Sequence, residues 1–178
     1  MSNYNRADAT FGAYATALGI IVAILLVMAF VVATRSEEHI PRVDYTPDAR
    51  TLQEVADYTV YVPGELPDGW VPTSSRIDAE EDEEEPVTWT VGFATPEDLH
   101  ARFSMSDADP ERFIAETTEQ GAPDGESGIG GEAWKRYTDR EEPQRSLVRR
   151  EDGVTLVVTG SAGYAELETL AGSLEPRG

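Results

Sequence analysis

His100 is the histidine whose surroundings invite a chemical reading, since alternating residue types place it on a strand with Ser104 and Ser106 close by. A Ser–His–acid relay needs the nucleophile and base within hydrogen-bond reach, usually with the serine on a tight glycine-flanked turn. No such spacing occurs, and a polar residue on the open side of a strand is ordinarily only solvated. His39 falls just after a long apolar stretch, where nothing predicts a rigid setting. Gly128-Ile129-Gly130-Gly131 suggests a phosphate loop, but a phosphate cradle needs a strand before it and a helix opening directly after it. The residues that follow, Glu132 to Tyr137, read as a strand, so a flexible turn is expected. Val157 to Ala162 does run from strand towards helix, yet one Gly and one Ser there suit a connection and an N-cap. The run Asp78-Ala79-Glu80-Glu81-Asp82-Glu83-Glu84-Glu85 clusters carboxylates without the glycine turn or alternating ligand positions of a calcium loop. It reads as a solvated loop with a loose cation atmosphere, weakened by salt. No catalytic residue, metal ligand or cofactor is expected.

Composition narrows the classes further. The chain has 178 residues, 34 Asp plus Glu against 14 Lys plus Arg, a net charge of −20, and no cysteine. Such acidity argues against nucleic acid as partner, because phosphate recognition needs clustered cations. The lack of cysteine removes disulfides, zinc–thiolate sites, iron–sulfur clusters, a thiol nucleophile and a lipid-modified N-terminal cysteine. Lys135 is the single lysine, and arginines fall on expected strands at Arg102, Arg136, Arg149 and Arg150. Arginine suits interface ion pairs and bidentate recognition. A coding bias towards arginine accounts for much of this preference. The face carrying Thr88, Thr90, His100 and Arg102 is the expected partner-binding surface.

The elements that must position those residues are legible in outline. Thr46-Pro47-Asp48 predicts an N-cap, a proline at the first helical position and an acid in the first turn, opening a helix over about 47–57. Val60-Tyr61-Val62 predicts a short strand, then two prolines and two glycines over 63–70 impose turns. A strand is expected from Trp70 to Ile77, and the acidic loop closes at Pro86. Val87, Trp89, Val91 and Phe93 alternate with small or polar residues, as do Leu99, Ala101, Phe103 and Met105, so these two runs form an antiparallel hairpin. Trp89 and Phe103 should face the core, leaving Thr88, Thr90, His100 and Arg102 outward. Asp109-Pro110-Glu111 opens a second helix ending near Gly121. Residues 121–131 hold five glycines and a proline and read as a loop. Strands follow over about 132–138, 145–150 and 153–159, with a hairpin turn at Glu151-Asp152-Gly153. A final helix starts near Ser161 or Gly163, with Tyr164, Leu167, Leu170 and Leu174 on one side. Strands joined by short turns and segregated from helices predict an α+β domain, an antiparallel sheet with helices packed over one face.

Before that domain lies a run from Ala9 to Thr34 without a charged residue. About 20 apolar residues cross a bilayer as a helix with every backbone group paired internally. Tyr14 would sit at interfacial depth. Val31-Val32-Ala33 resembles a signal-peptide cleavage site, but the apolar run is longer than the usual h-region of about 7–15 residues. An uncleaved single-pass anchor is the expectation. Arg6 on one side against Arg35 and Arg42 on the other leaves the positive-inside count undecided. The favoured arrangement is a cytoplasmic segment 1–10, a transmembrane helix 11–34, a tether 35–45 and an extracytoplasmic domain 46–178. About 130 residues beyond the apolar run suffice for one core.

Several segments together resemble an actinobacterial, membrane-anchored family, domain of unknown function 4245. They are the N-terminal apolar run, the stretch from Val62-Pro63-Gly64-Glu65-Leu66-Pro67-Asp68-Gly69-Trp70 to Ser74, and Val91-Gly92-Phe93-Ala94-Thr95-Pro96. Gly130-Gly131-Glu132-Ala133-Trp134, the run Thr155 to Ala162 and Leu170-Ala171-Gly172-Ser173-Leu174 complete the set. The acidic run 78–85 stands outside it. The resemblance implies an actinobacterial source, one anchor and one extracytoplasmic domain, and it brings no activity. A Pro-rich, Gly-Trp entry, a late hairpin and a closing helix are also similar to small α+β domains of the PsbP-like kind, a likeness of fold that carries no function. The expected function is a non-enzymatic accessory or protein-interaction domain on the outer side of the cytoplasmic membrane, with another membrane or envelope protein as partner. The alternatives are an envelope-side binding protein for a small ligand or cation, and a hydrolase using His100.

Overall fold

The computed structural model describes residues 6–35, 41–79, 86–139 and 143–177, with the side chains of the first helix described over 14–30. The chain divides into two units, Met1–His39 and Ile40–Gly178. The first holds helix α1, Arg6–Arg35, of 30 residues. Leu18, Ile21, Leu25, Leu26 and Phe30 on it are each more than half exposed. Among the described residues, no helix is long and apolar enough to cross a membrane.

The second unit is a small α+β domain in which every strand pairing is antiparallel. In chain order its elements are α2 (Thr46–Val55), β1 (Val60–Pro63), β2 (Val71–Asp78), β3 (Thr88–Ala94), β4 (His100–Ser106), α3 (Pro110–Thr117) and β5 (Ala122–Ile129). Then come β6 (Glu132–Thr138), β7 (Arg145–Glu151), β8 (Val154–Gly160), α4 (Tyr164–Gly172) and β9 (Leu174–Arg177). Seven strands form one sheet in the order β2-β3-β4-β8-β7-β6-β5, and β1 with β9 makes a separate two-stranded ribbon.

The expected hairpin is present, with Val91 opposite Phe103 and Trp89 opposite Met105. Alternation puts those four on one face, where they are fully buried, and the Trp89 and Phe103 rings meet edge to face at 6.0 Å. That face is closed by Leu52 of α2, Val60 and Tyr61 of β1, and Leu167, Leu170 and Ala171 of α4. Helix α3 lies elsewhere. Phe113 and Ile114 pack on Val148 and Val157, whereas the next residue along β8, Val158, belongs to the main core. Because neighbours on a strand point to opposite faces, helices cover both sides of the sheet, not one.

Local chemistry sets the boundaries. Asp109 accepts the Arg112 N–H at 2.9 Å and Pro110 follows, so α3 starts as read. It stops at Thr117, earlier than Gly121, because Glu119 and Gln120 themselves adopt left-handed conformations (φ 54° and 62°). Helix α2 begins one residue before the expected position, and the Asp44 carboxylate takes the Thr46 N–H at 2.9 Å. Those bonds to Thr46 hold the Asp44 carboxyl below its ordinary pKa. Residues 41–45, read as tether, are held by the domain: the Val43 N–H reaches the Pro72 carbonyl, and the Tyr45 ring stands 6.0 Å from Phe93. Residues 36–40 and the acidic stretch 80–85 lie outside the described residues.

Two strands were not expected. Residues 122–129 pair with β6 at the sheet edge, with a register shift between Pro123 and Glu126 around Gly125 (φ 95°). An edge position tolerates that proline and glycine. The adjoining glycines 130 and 131, both at positive φ, supply the tight hairpin turn instead of a loop. The final helix ends at Gly172, and Leu174 opens β9 opposite Pro63.

Candidate functional site

The four residues expected on the open face are distributed in two groups. Thr88 and Thr90, both half-buried, sit across from Ser106 and Ser104 on β4. Thr88 donates to Ser106 at 2.8 Å, and the Thr90 and Ser104 hydroxyls are 3.1 Å apart. Ser104 and Ser106, the serines nearest His100 in sequence, are themselves buried in these pairs. A third pair, Ser146 with Thr159 at 2.8 Å, continues the pattern across β7 and β8. Hydroxyl pairing therefore satisfies these three pairs of polar side chains on this side of the sheet.

His100 and Arg102 belong to a recess of about 190 Å³ that Glu119, Gln144, Thr159 and Gly160 complete. Strand order brings them together: β4 is flanked by β8, and β8 by β7, so Arg102 lies opposite Thr159 and Thr159 opposite Ser146. Glu119 arrives from the left-handed turn after α3, and Gln144 from the residue before β7. The His100 main chain is fixed on both sides, its N–H donating to Ser161 Oγ at 3.1 Å and its carbonyl accepting from the Ala162 N–H at 3.2 Å. Gly160 allows this approach, since a Cβ there would collide with the His100 carbonyl. His100 is exposed at the mouth of the recess, yet partial shielding of its ring, and secondarily the Arg102 charge, push the imidazole below its ordinary pKa. The ring is neutral at neutral pH, and Arg102 supplies the positive charge.

The four arginines expected on strands divide between the two faces of the sheet. Arg102 and Arg150 share the face of the hydroxyl pairs, opposite Thr159 and Thr155, while Arg136 and Arg149 stand opposite Leu147 and Leu156 on the core face. Arg136 covers the Tyr164 ring at 3.6 Å, and Arg149 pairs with Glu151. A larger hollow of about 650 Å³ lies between residues 42–46 and the turn-rich stretch 64–70, with Arg42, Tyr45, Leu66, Trp70 and Phe93 among its walls. There Arg42 donates to the Trp70 carbonyl at 3.3 Å and Tyr45 to the Pro63 carbonyl at 3.0 Å. Among the described residues no three His, Cys, Asp or Glu side chains converge as a metal site would require.

These features define a small α+β domain with an open antiparallel sheet, apolar on one face and lined by hydroxyl pairs and a polar recess on the other. The chain belongs to the family described as protein of unknown function (DUF4245), which matches residues 6–174. No curated protein and no solved structure matches it.

Proposed function

We propose that this chain is a membrane-anchored, non-enzymatic accessory domain that engages another membrane or envelope protein from the outer side of the cytoplasmic membrane. The observation that carries the reading is the continuous helical backbone from Arg6 to Arg35 laid over a sequence without charge from Ala9 to Thr34. At about 1.5 Å per residue the whole uncharged stretch exceeds the hydrocarbon thickness of about 30 Å. Thr88, Thr90, His100 and Arg102 are the proposed partner surface, with Arg102 as its charge. The second reading, an envelope-side protein for a small ligand, is favoured by the recess beside His100.

The test is purification of the tagged full-length protein from its native membrane in mild detergent after crosslinking, beside a chain lacking residues 1–34. A stoichiometric partner that the Arg102→Glu variant loses supports the reading. Release of the full-length chain from membranes by alkaline carbonate removes the anchor, and recovery of the chain alone removes the accessory role.

A further inference from the structure

Every other described arginine on a strand has a place for its guanidinium. Arg76 pairs with Asp78, Arg149 with Glu151, Arg150 with Glu111 and Arg177 with Glu175, while Arg136 and Arg145 lie over the Tyr164 ring. Arg102 is the exception. It is half-buried in the middle strands of the sheet, and its Nε–H is sealed from solvent without an acceptor; the Arg136 Nε–H shares that state, but its guanidinium lies on the Tyr164 ring, whereas no described carboxylate or ring meets Arg102. In a protein with 34 carboxylates, a half-buried guanidinium left out of every described ion pair is unusual. Burying a charged donor without a partner is costly, and such sites are ordinarily completed by something that accepts.

A second buried donor lines the same recess. The Gln144 side-chain nitrogen is also sealed and lacks an acceptor. Thr159 lines the recess with its hydroxyl 2.8 Å from that of Ser146, and where Ser146 donates in that pair the Thr159 O–H is left to donate into the recess. Glu119 is exposed, so its carboxylate stands at the rim. We propose that this recess is a binding site for a compact oxyanion, a carboxylate or phosphate group held by Arg102 and Gln144. A planar guanidinium matches such oxygens with two parallel bonds. The recess has room for the group and for a few waters, each occupying about 30 Å³ of liquid. A cation is disfavoured by the Arg102 charge. The inference rests on the small-ligand reading of the recess and not on the anchored-accessory one: a chain with no protein partner can still hold the anion.

The experiment uses the full-length chain in detergent micelles, with arginine side-chain nitrogens labelled. The Arg102 Nε–H resonance and the melting temperature are followed during additions of sodium acetate, sodium phosphate or sodium chloride at constant ionic strength. The expected result is a saturable shift of Arg102 with a dissociation constant of about 1 mM, together with a rise in melting temperature, and no saturation with chloride. Saturation by acetate alone assigns a carboxylate, by phosphate alone a phosphate group, and by both the shared oxyanion chemistry. Arg102→Gln should remove the rise in melting temperature. Gln144→Leu, which leaves Arg102 in place should the first variant fail to fold, should weaken binding about tenfold or more, the loss of one charge-assisted bond. Glu119→Gln should tighten it by about threefold, the scale of a screened surface charge. If neither acetate nor phosphate shifts Arg102 beyond chloride, or if Gln144→Leu binds both as tightly as the parent, the proposal is overturned and water occupies the recess.

Discussion

The two faces of the seven-stranded sheet are drawn from the same strands and are filled by different means. On one, Trp89, Phe103, Leu147, Leu156 and Val158 meet two helices and a ribbon in a single apolar layer. On the other, a short helix brings Phe113 and Ile114 onto Val148 and Val157, and three Ser–Thr pairs lie among the other covered positions. Apolar burial is non-directional and grows with area removed from water. A hydroxyl pair exchanges water for a partner and nets little, but it fixes which neighbour each side chain has. The first face therefore supplies stability, and the second can hold polar groups at set positions without collapsing on them.

The sharpest way to break this contrast is to empty the first face. Trp89→Ala should cost about 4 kcal/mol, since a fully buried aromatic leaves a cavity its neighbours cannot close. Urea unfolding of the full-length chain reads it. An equal cost from Phe113→Ala would show that the smaller cluster is not secondary. Gly160→Ala comes next, at about 2 kcal/mol or more, because the added carbon meets the His100 backbone, which strand pairing prevents from retreating. If Gly160→Ala melted like the parent, the close approach of β4 and β8 would be wrong.

The hydroxyl face makes a different prediction. Ser146→Ala alone should cost about 1–2 kcal/mol by stranding the buried Thr159 hydroxyl, and Thr159→Val alone a similar amount. The double variant should cost less than the sum of the two, because the group each single change strands is then gone. Additive costs would mean that these hydroxyls do not depend on each other.

How much of this could be read beforehand follows the same division. Strict alternation around Trp89 and Phe103 announces a hairpin and its buried side, because a period of two has one structural meaning. Residues 122–129 hide a strand, since Pro123 and two glycines signal turns, and only the neighbouring β6 makes the pairing worthwhile. Leu174 to Arg177 is too short for any period, and β1 defines it. The recess was half visible. His100 and Arg102 share a strand face at a spacing of two, but Glu119 and Gln144 come from distant segments. They meet Arg102 only through the order β4-β8-β7 and the left-handed turn at Glu119. No local spacing encodes that order.

The smallest expected effect concerns pH, and it tests whether the second face imposes an environment on His100. Arg102 and Glu119 are the charged side chains lining its recess. Partial shielding and the Arg102 charge lower the folded-state imidazole pKa, so the unfolded chain takes up the proton first, near about pH 6.5. Where the unfolded state binds more protons, stability rises with pH. His100 should therefore be neutral in its effect above pH 7. It should subtract stability as the pH falls through about 6.5 and stop doing so once the folded chain is protonated too. Other groups titrate in the same range, so the readable quantity is the difference between the parent and His100→Gln in urea midpoints from pH 8 to pH 5. His39 is present in both and cancels. The difference should shift in favour of His100→Gln on acidification. A shift in the opposite sense would mean that Glu119, rather than Arg102 and shielding, governs the ring, and that the recess favours a cation over an anion.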